Sequence, residues 1–366
     1  MTRACAKFYH QRRIINSELH VTIKNNRYKH MKHVFNFLLI SLFFCCEKTP
    51  DKPEKMNGVS FVASPNAVNE THVNPLVNIN ANYAAIMPFG FMKALNHPEI
   101  IHNTDRQWFG ETRAGAKQYI EELRKKNIKA MIKPQIWVWN GDFTGLIKMD
   151  DEANWKLLET SYTSFILEYV ELAEVINAEV FCIGTELENF IKHRPAYWSE
   201  LIQQIRTIYK GKLTYAANWD EYRRTPFWGE LDYIGIDAYF PVSDKKTPTF
   251  EDCLEGWKTH KPTIKNLSVK HNKPIVFTEY GYRSVDYSGR KPWVFDRSMN
   301  VVNHQAQINT TKALYHTFWN EDWYAGGFIW KWYIDYDKSG GKDNHMFTPQ
   351  NKPVEAVIKQ YYRILE

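Results

Sequence analysis

The stretch Val180-Phe181-Cys182-Ile183-Gly184-Thr185-Glu186-Leu187-Glu188-Asn189 decides how this chain is read. Its apolar start does not alternate with polar residues. A strand covered on both faces reads this way, because neither side-chain direction meets water. The same kind of run recurs along the chain. Segments 59–63, 83–87, 130–138, 180–183, 213–217, 233–239, 275–278 and 327–333 give eight strand candidates. Segments 112–126, 154–177, 197–209, 250–271, 302–319 and 353–364 read as helices between them. In 154–177, Trp155, Leu158, Tyr162, Phe165, Ile166, Tyr169 and Leu172 recur at three- and four-residue steps, the helical period. The connections after the first and fifth runs are short and only weakly helical. This alternation predicts an α/β chain folded as a single (β/α)8 TIM barrel with extended βα loops. A doubly wound sheet is the alternative, but no glycine-rich phosphate loop follows the first run.

Composition sharpens the boundaries. The chain has 366 residues, 44% of them hydrophobic, and a formal charge of +6. Eight Lys and Arg but only one acid, Glu18, fall within 1–33, which leaves 39 basic and 40 acidic residues for the rest. The basic balance thus belongs to the N-terminus, and the remainder has no use for a polyanion, so no nucleic acid is expected as a partner. Residues 31–46 pair a basic start with a short apolar run that ends in Cys45-Cys46. That is the layout of an export signal, and it is too short to span a bilayer. It resembles a bacterial lipoprotein signal, with Cys46 or Cys45 as the lipidation site. The expected organisation is a gene-model extension over 1–30, the signal over 31–46, a polar tether over 47–56 and one catalytic domain over 57–366. The protein would be exported and anchored in a membrane by lipid. Only Cys182 and Cys253 remain beyond the signal. They make no disulfide framework or metal-ligand spacing, so neither a metal nor another cofactor is expected. The acidic loop at 335–340 lacks the closing glutamate of a calcium loop, because Met346 stands there.

In such a barrel, chemistry sits where strands end and βα loops begin. Two strand ends carry a carboxylate straight after apolar residues: Glu186, and Glu279 within Phe277-Thr278-Glu279-Tyr280-Gly281. Either alone reads equally as an acid favoured by a helix N-terminus. Both together, on the fourth and seventh runs, favour one cleft with two carboxyl groups. Glycoside hydrolysis needs such a pair: one protonates the leaving oxygen, while the other attacks the anomeric carbon or activates water. Glu188 follows too closely and belongs to the loop or first helical turn.

These motifs are similar to those of the clan A retaining glycoside hydrolases, and most like glycoside hydrolase family 113, the β-mannanases. The resemblance runs over about 57–366. It rests on Trp108-Phe109-Gly110-Glu111, Met131-Ile132-Lys133-Pro134-Gln135-Ile136-Trp137, Ile183-Gly184-Thr185-Glu186-Leu187, Tyr233-Ile234-Gly235-Ile236-Asp237-Ala238-Tyr239, Phe277-Thr278-Glu279-Tyr280-Gly281 and Gly327-Phe328-Ile329-Trp330. It implies Glu186 as acid/base and Glu279 as nucleophile, with their carboxyl groups roughly 5–5.5 Å apart. It also implies Trp330 as the floor beneath the cleaved sugar. Thr185 departs from the pattern, since many clan members carry Asn there to bond the sugar 2-hydroxyl.

Other residues are expected around this pair. Tyr239, at the end of the sixth run, is placed to hydrogen-bond Glu279. Trp137, Trp139 and Trp219, with Asn218 beside the last, read as sugar platforms or loop packing. Lys133 and Gln135 alternate to one face with Trp137. A Lys near two carboxylates must be paired or must bond substrate, and both residues are counted as substrate contacts. Trp332 reads as core. All 13 Trp lie between Trp108 and Trp332, which suits an uncharged polysaccharide. The expected function is hydrolysis of β-mannan or manno-oligosaccharides by a monomer. The alternatives are another β-glycan (glucan, xylan or galactan) as substrate, or a non-catalytic glycan-binding surface lipoprotein.

Overall fold

The computed structural model describes residues 54–295 and 299–363, all within the unit Pro53–Glu366. The expected extension, the signal with Cys45 and Cys46, and most of the tether lie outside the described residues. The described residues form strands β1 (Met56–Phe61), β2 (Tyr83–Ile86), β3 (Phe89–Met92), β4 (Ile101–His102), β5 (Lys129–Ile132), β6 (Gln135–Val138), β7 (Val180–Thr185), β8 (Lys212–Asn218), β9 (Ile234–Asp237), β10 (Ile275–Tyr280) and β11 (Tyr324–Trp332), with eight helices between and after them. These are α1 (Glu70–Asn78), α2 (Arg113–Arg124), α3 (Glu152–Val175), α4 (Glu188–His193), α5 (Pro195–Ile208), α6 (Phe250–His271), α7 (His304–Phe318) and α8 (Val354–Tyr361). Eight strands close into a parallel barrel in the order β1-β11-β10-β9-β8-β7-β5-β2. The fold is the single TIM barrel that the alternation predicts.

Local chemistry sets the helix limits. Thr249 caps α6 in a reciprocal box with Asp252, and Asn272 ends it in the left-handed conformation at φ 50°. Asp151 caps α3 and Thr112 caps α2. Left-handed asparagines recur where helices hand over to strands, at Asn80, Asn127 and Asn177 as well as Asn272. The connection after the first strand is more helical than expected. Asn69 and His72 form a capping box that starts α1, a nine-residue helix.

The barrel wall separates two apolar populations. Met56, Tyr83, Ala85, Met131, Val180, Cys182, Ala216, Val276 and Phe328 fill the interior, while residues alternating with them pack outward against the helices. The thiols of Cys182 and Cys253 are both buried and free. On β9 the first interior position is Gly235. A Cβ there would lie 2.1 Å from the Tyr215 carbonyl oxygen and 2.5 Å from Thr214 Oγ1.

One expected strand is really two. The run 130–138 gives β5 in the barrel and β6 in a separate three-stranded sheet, ordered β4-β3-β6. The neighbouring chain breaks likewise, into β2 and β3. Register pairs Ile86 with Ile132 and Phe89 with Gln135, so Pro88 and Pro134 stand opposite each other. Proline offers no N–H to a ladder, and the barrel pairing ends there on both strands. The small sheet that follows lies beyond the strand ends, on the side where the loops build a site.

A test of the packed wall is Gly235→Ala. The added methyl meets backbone rather than a flexible side-chain tip, so stability should fall by about 1–3 kcal/mol in urea unfolding. An unchanged midpoint would show that β8 and β9 part without cost.

Candidate active site

Glu279 sits on β10, where strict alternation would send it outward with Phe277. Pairing with β9 slips between Phe277 and Glu279, and pairing with β11 slips between Phe277 and Tyr280. Such a bulge re-aims side chains. As a result Thr278 and Glu279 both face the barrel, where Thr278 Oγ1 donates to Asp237 Oδ1 at 2.7 Å. Tyr280 returns to the helix side, and its hydroxyl meets those of Tyr315 and Tyr362.

The Glu279 carboxylate is only 6% exposed and accepts three hydrogen bonds. Tyr239 Oη donates to Oε2 at 2.8 Å, and Gln135 Nε2 donates to Oε1 at 2.9 Å. Lys133 Nζ makes a close ion pair with the same Oε1. The ammonium also reaches both oxygens of Asp237 at 3.3 Å. Lys133 and Asp237 are fully buried, at 0%. Burial alone would push the Lys133 ammonium down, but Asp237 and Glu279 outweigh it and raise its pKa. Burial first, then the charge of Glu279, pushes the Asp237 carboxyl up against the pull of Lys133 and Thr278. Burial, followed by the charges of Glu279 and Asp237, also drives the Tyr239 phenol well above its usual range.

Glu186 follows β7 directly, and its surroundings are the opposite. Pairing of β7 with β8 slips between Cys182 and Thr185, and Glu186 takes a left-handed backbone at φ 52°. That conformation costs a residue with a side chain about 1–2 kcal/mol. Its N–H donates to Ala216 O at 2.8 Å, and its carbonyl accepts from Thr144 Oγ1 at 3.2 Å. Among the described residues its carboxyl group makes no hydrogen bond, and it is half-buried. Burial raises its pKa well above the ordinary value; the charges of Asp237 and Glu279 add to this, and Lys133 opposes it. The Thr185 hydroxyl beside it is buried with no hydrogen-bond partner among the described residues.

The structure therefore brings Glu279, Tyr239, Gln135 and Lys133 into direct contact. One expectation changes. Lys133 has no exposed surface, so its place is beneath the cleft, pairing carboxylates, and it is not a sugar contact. Trp137 and Trp139 are 48% and 58% exposed, with Trp137 on β6 of the small sheet. Trp219 stacks on Trp293 at 4.9 Å between ring centres, and Trp293 was not anticipated. Asn218, at the end of β8, turns its side-chain oxygen to the Trp219 N–H at 2.8 Å. Trp330 is half-open, with Lys331 Nζ 5.3 Å from its ring centre, whereas Trp332 is fully buried against Tyr336. Glu188 opens α4 and pairs with Arg224 away from this cluster. Asp237 is the main residue that the sequence reading passed over. It ends an apolar run just as Glu279 does, so the same strand-end rule finds it.

Comparisons with known proteins identify the family. The family model of Glycoside Hydrolase Family 113 matches residues 63–352. No curated protein sequence matches. The fold is similar to that of the GH113 β-mannanase AaManA from Alicyclobacillus acidocaldarius in complex with ManMIm. That match has 22% identity and a TM-score of 0.72, and covers 84% of this chain and 97% of the other. A GH113 β-1,4-mannanase complex aligns at 21% identity and a TM-score of 0.73, over 84% and 99% of the two chains. A Faecalibacterium prausnitzii β-glucuronidase aligns at 14% identity and a TM-score of 0.58, over 86% of this chain and 50% of its own. These neighbours establish likeness of fold, and the family match spans most of the chain. With two carboxyl groups at the mouth of a TIM barrel, this chain belongs to Glycoside Hydrolase Family 113 and is a glycoside hydrolase.

Proposed function

We propose that the protein is a retaining hydrolase that cleaves β-mannosidic bonds of mannan or manno-oligosaccharides by double displacement. A lipid on Cys46 or Cys45 would hold it at a bacterial membrane after export. The observation that carries the mechanism is the contrast between the two carboxyl groups. Glu279 accepts from an ammonium, an amide and a phenol, so it is presented as an electron-pair donor. Glu186 makes no such bonds, and its pKa is raised. A carboxyl group that holds its proton suits the acid, and one surrounded by hydrogen-bond donors suits the nucleophile.

In the first step Glu279 attacks the anomeric carbon while the Glu186 proton passes to the departing oxygen. Esterification removes the Glu279 charge, one of those that hold the proton on Glu186. Glu186, having given up its proton, then stays ionised and serves as base for the second step, taking a proton from water as the new hydroxyl frees Glu279. Lys133 keeps Asp237 as its partner throughout. Support for mannan comes from the two GH113 neighbours, which are named as mannanases. The exposed Trp137 and Trp139, and the nearly neutral charge beyond residue 33, suit a neutral glycan.

The deciding experiment sets the purified protein against β-mannan, cellulose, xylan and galactan. Mannan should be the best substrate, with the anomeric configuration retained in the first product. Preference for another glycan would move the substrate assignment, and hydrolysis of none would favour a glycan-binding role. Glu279→Ala should lower kcat/KM by at least about 10³-fold, and full activity in that variant would remove Glu279 as nucleophile.

The pH profile follows from the raised Glu186 pKa. The first step needs the protonated acid, so kcat/KM should fall as pH rises through that pKa. Glu186→Gln should abolish this alkaline limb, and a limb that survives belongs to another group. Lys133→Met leaves Asp237 and Glu279 buried without their cation. It should cost about 3–5 kcal/mol in urea unfolding, and a loss below 1 kcal/mol would show that the ion pairs are not needed.

A further inference from the structure

A second polar chain lies behind the barrel wall, outside the catalytic cluster. Tyr215 is on β8, and its ring is fully buried among Trp198, Phe227 and Trp228. Its hydroxyl accepts the Leu187 N–H at 2.6 Å and donates to Glu221 Oε1 at 2.7 Å. The other Glu221 oxygen accepts the Asn218 N–H at 3.0 Å, and the Glu221 N–H donates back to Asn218 O at 2.9 Å. Glu221 is 2% exposed. A buried carboxyl group in this place is costly unless it is used.

Its position suggests the use. Leu187 immediately follows Glu186, whose left-handed backbone aims its carboxyl group. The Glu186 N–H is tied to Ala216 and its carbonyl to Thr144, while the next N–H is tied to Tyr215. The same Glu221 carboxyl group closes the turn that presents Asn218 and Trp219. We propose that Tyr215 and Glu221 are positioning residues, a relay that fixes the Glu186 carboxyl group relative to the loop bearing Asn218 and Trp219. A tyrosine hydroxyl that donates to a carboxyl group is a stronger acceptor for the Leu187 N–H. Phenylalanine at 215 leaves that N–H without a partner. Glutamine at 221 keeps the shape but turns an NH2 group toward one of two donors.

The relay also bears on the proton of Glu186. Burial pushes the Glu221 carboxyl group up to about 8, while the bonds from Tyr215 and Asn218 pull it back and the charges of Glu188 and Asp237 add to the rise. Arg224, paired with Glu188, is the nearby cation. Around Glu186 stand Asp237, Glu279, Lys133 and Glu221, and all of them except Lys133 raise its pKa.

The inference rests on Glu186 being the acid/base, so the test separates the two ideas. Full-length protein, Tyr215→Phe and Glu221→Gln are compared by kcat/KM on a manno-oligosaccharide and on 2,4-dinitrophenyl β-mannoside. The dinitrophenolate leaves without a proton, so only the oligosaccharide reads acid placement. The relay requires about a 10- to 100-fold loss on the oligosaccharide and less than about 3-fold on the activated glycoside. Equal losses on both, or none, overturn it. If the parent cleaves neither, the mannoside reading fails, and the relay is read instead from a ¹³C-carboxyl NMR titration of Glu186. There Tyr215→Phe and Glu221→Gln must each move the Glu186 carboxyl resonance or its midpoint, and a titration curve identical to the parent's in both variants overturns the relay. Thermal unfolding of each variant identifies any loss that comes from misfolding.

Discussion

One ammonium group sets the terms for the whole mouth of the barrel. Lys133 is sealed from water between Asp237 and Glu279, and a lone charge there would be very costly. Two carboxylates facing each other without it would be costly as well. The three groups are tolerable only together, and they come from β9, β10 and the residue after β5. Closure of the barrel is what brings them to one level. Asp237 also answers a problem internal to the chemistry. In the proposed double displacement Glu279 becomes an ester, and the ammonium then loses one partner and still has another.

The sequence shows the barrel more clearly than the site. Helix α6 matches its expected limits at both ends, because Thr249 and Asn272 are local signals that act within a few residues. The strands are legible as apolar runs, and Glu186 and Glu279 are legible as acids at the ends of such runs. Asp237 carries the same local signal at the end of β9, but the other features missed depend on contacts distant in sequence. The split of 130–138 needs Pro134 to meet Pro88, and each proline by itself fits an edge or a turn. The inward turn of Glu279 needs a slip in pairing with two other strands, which no alternation pattern records. Lys133 was expected near carboxylates, but only the folded chain shows that it lies below the surface where a sugar would bind.

The two carboxyl groups also show how a fold divides its work. Glu279 is held through its side chain by three donors. Glu186 is held through its backbone, with the carboxyl group left free. The roles proposed for them, a nucleophile that keeps its place and a proton carrier that must exchange its partner, call for these two kinds of support. Residues behind the wall, such as Tyr215, belong to the second kind.

The facing prolines carry a further consequence. Below Pro88 and Pro134 the strands obey the closure of the barrel, where one residue inserted would shift every neighbour. Above them, among the described residues, β3 pairs with β6 and β4 and neither β3 nor β6 pairs with a barrel strand, so the ladder has a seam. Length and composition can change above that seam without altering the stagger of the eight strands beneath it. Gln135 reaches back from β6 to Glu279, but the rest of the outer sheet, with Trp137 on its surface, is thus the part of this protein that can vary while the carboxylate cluster beneath stays as it is.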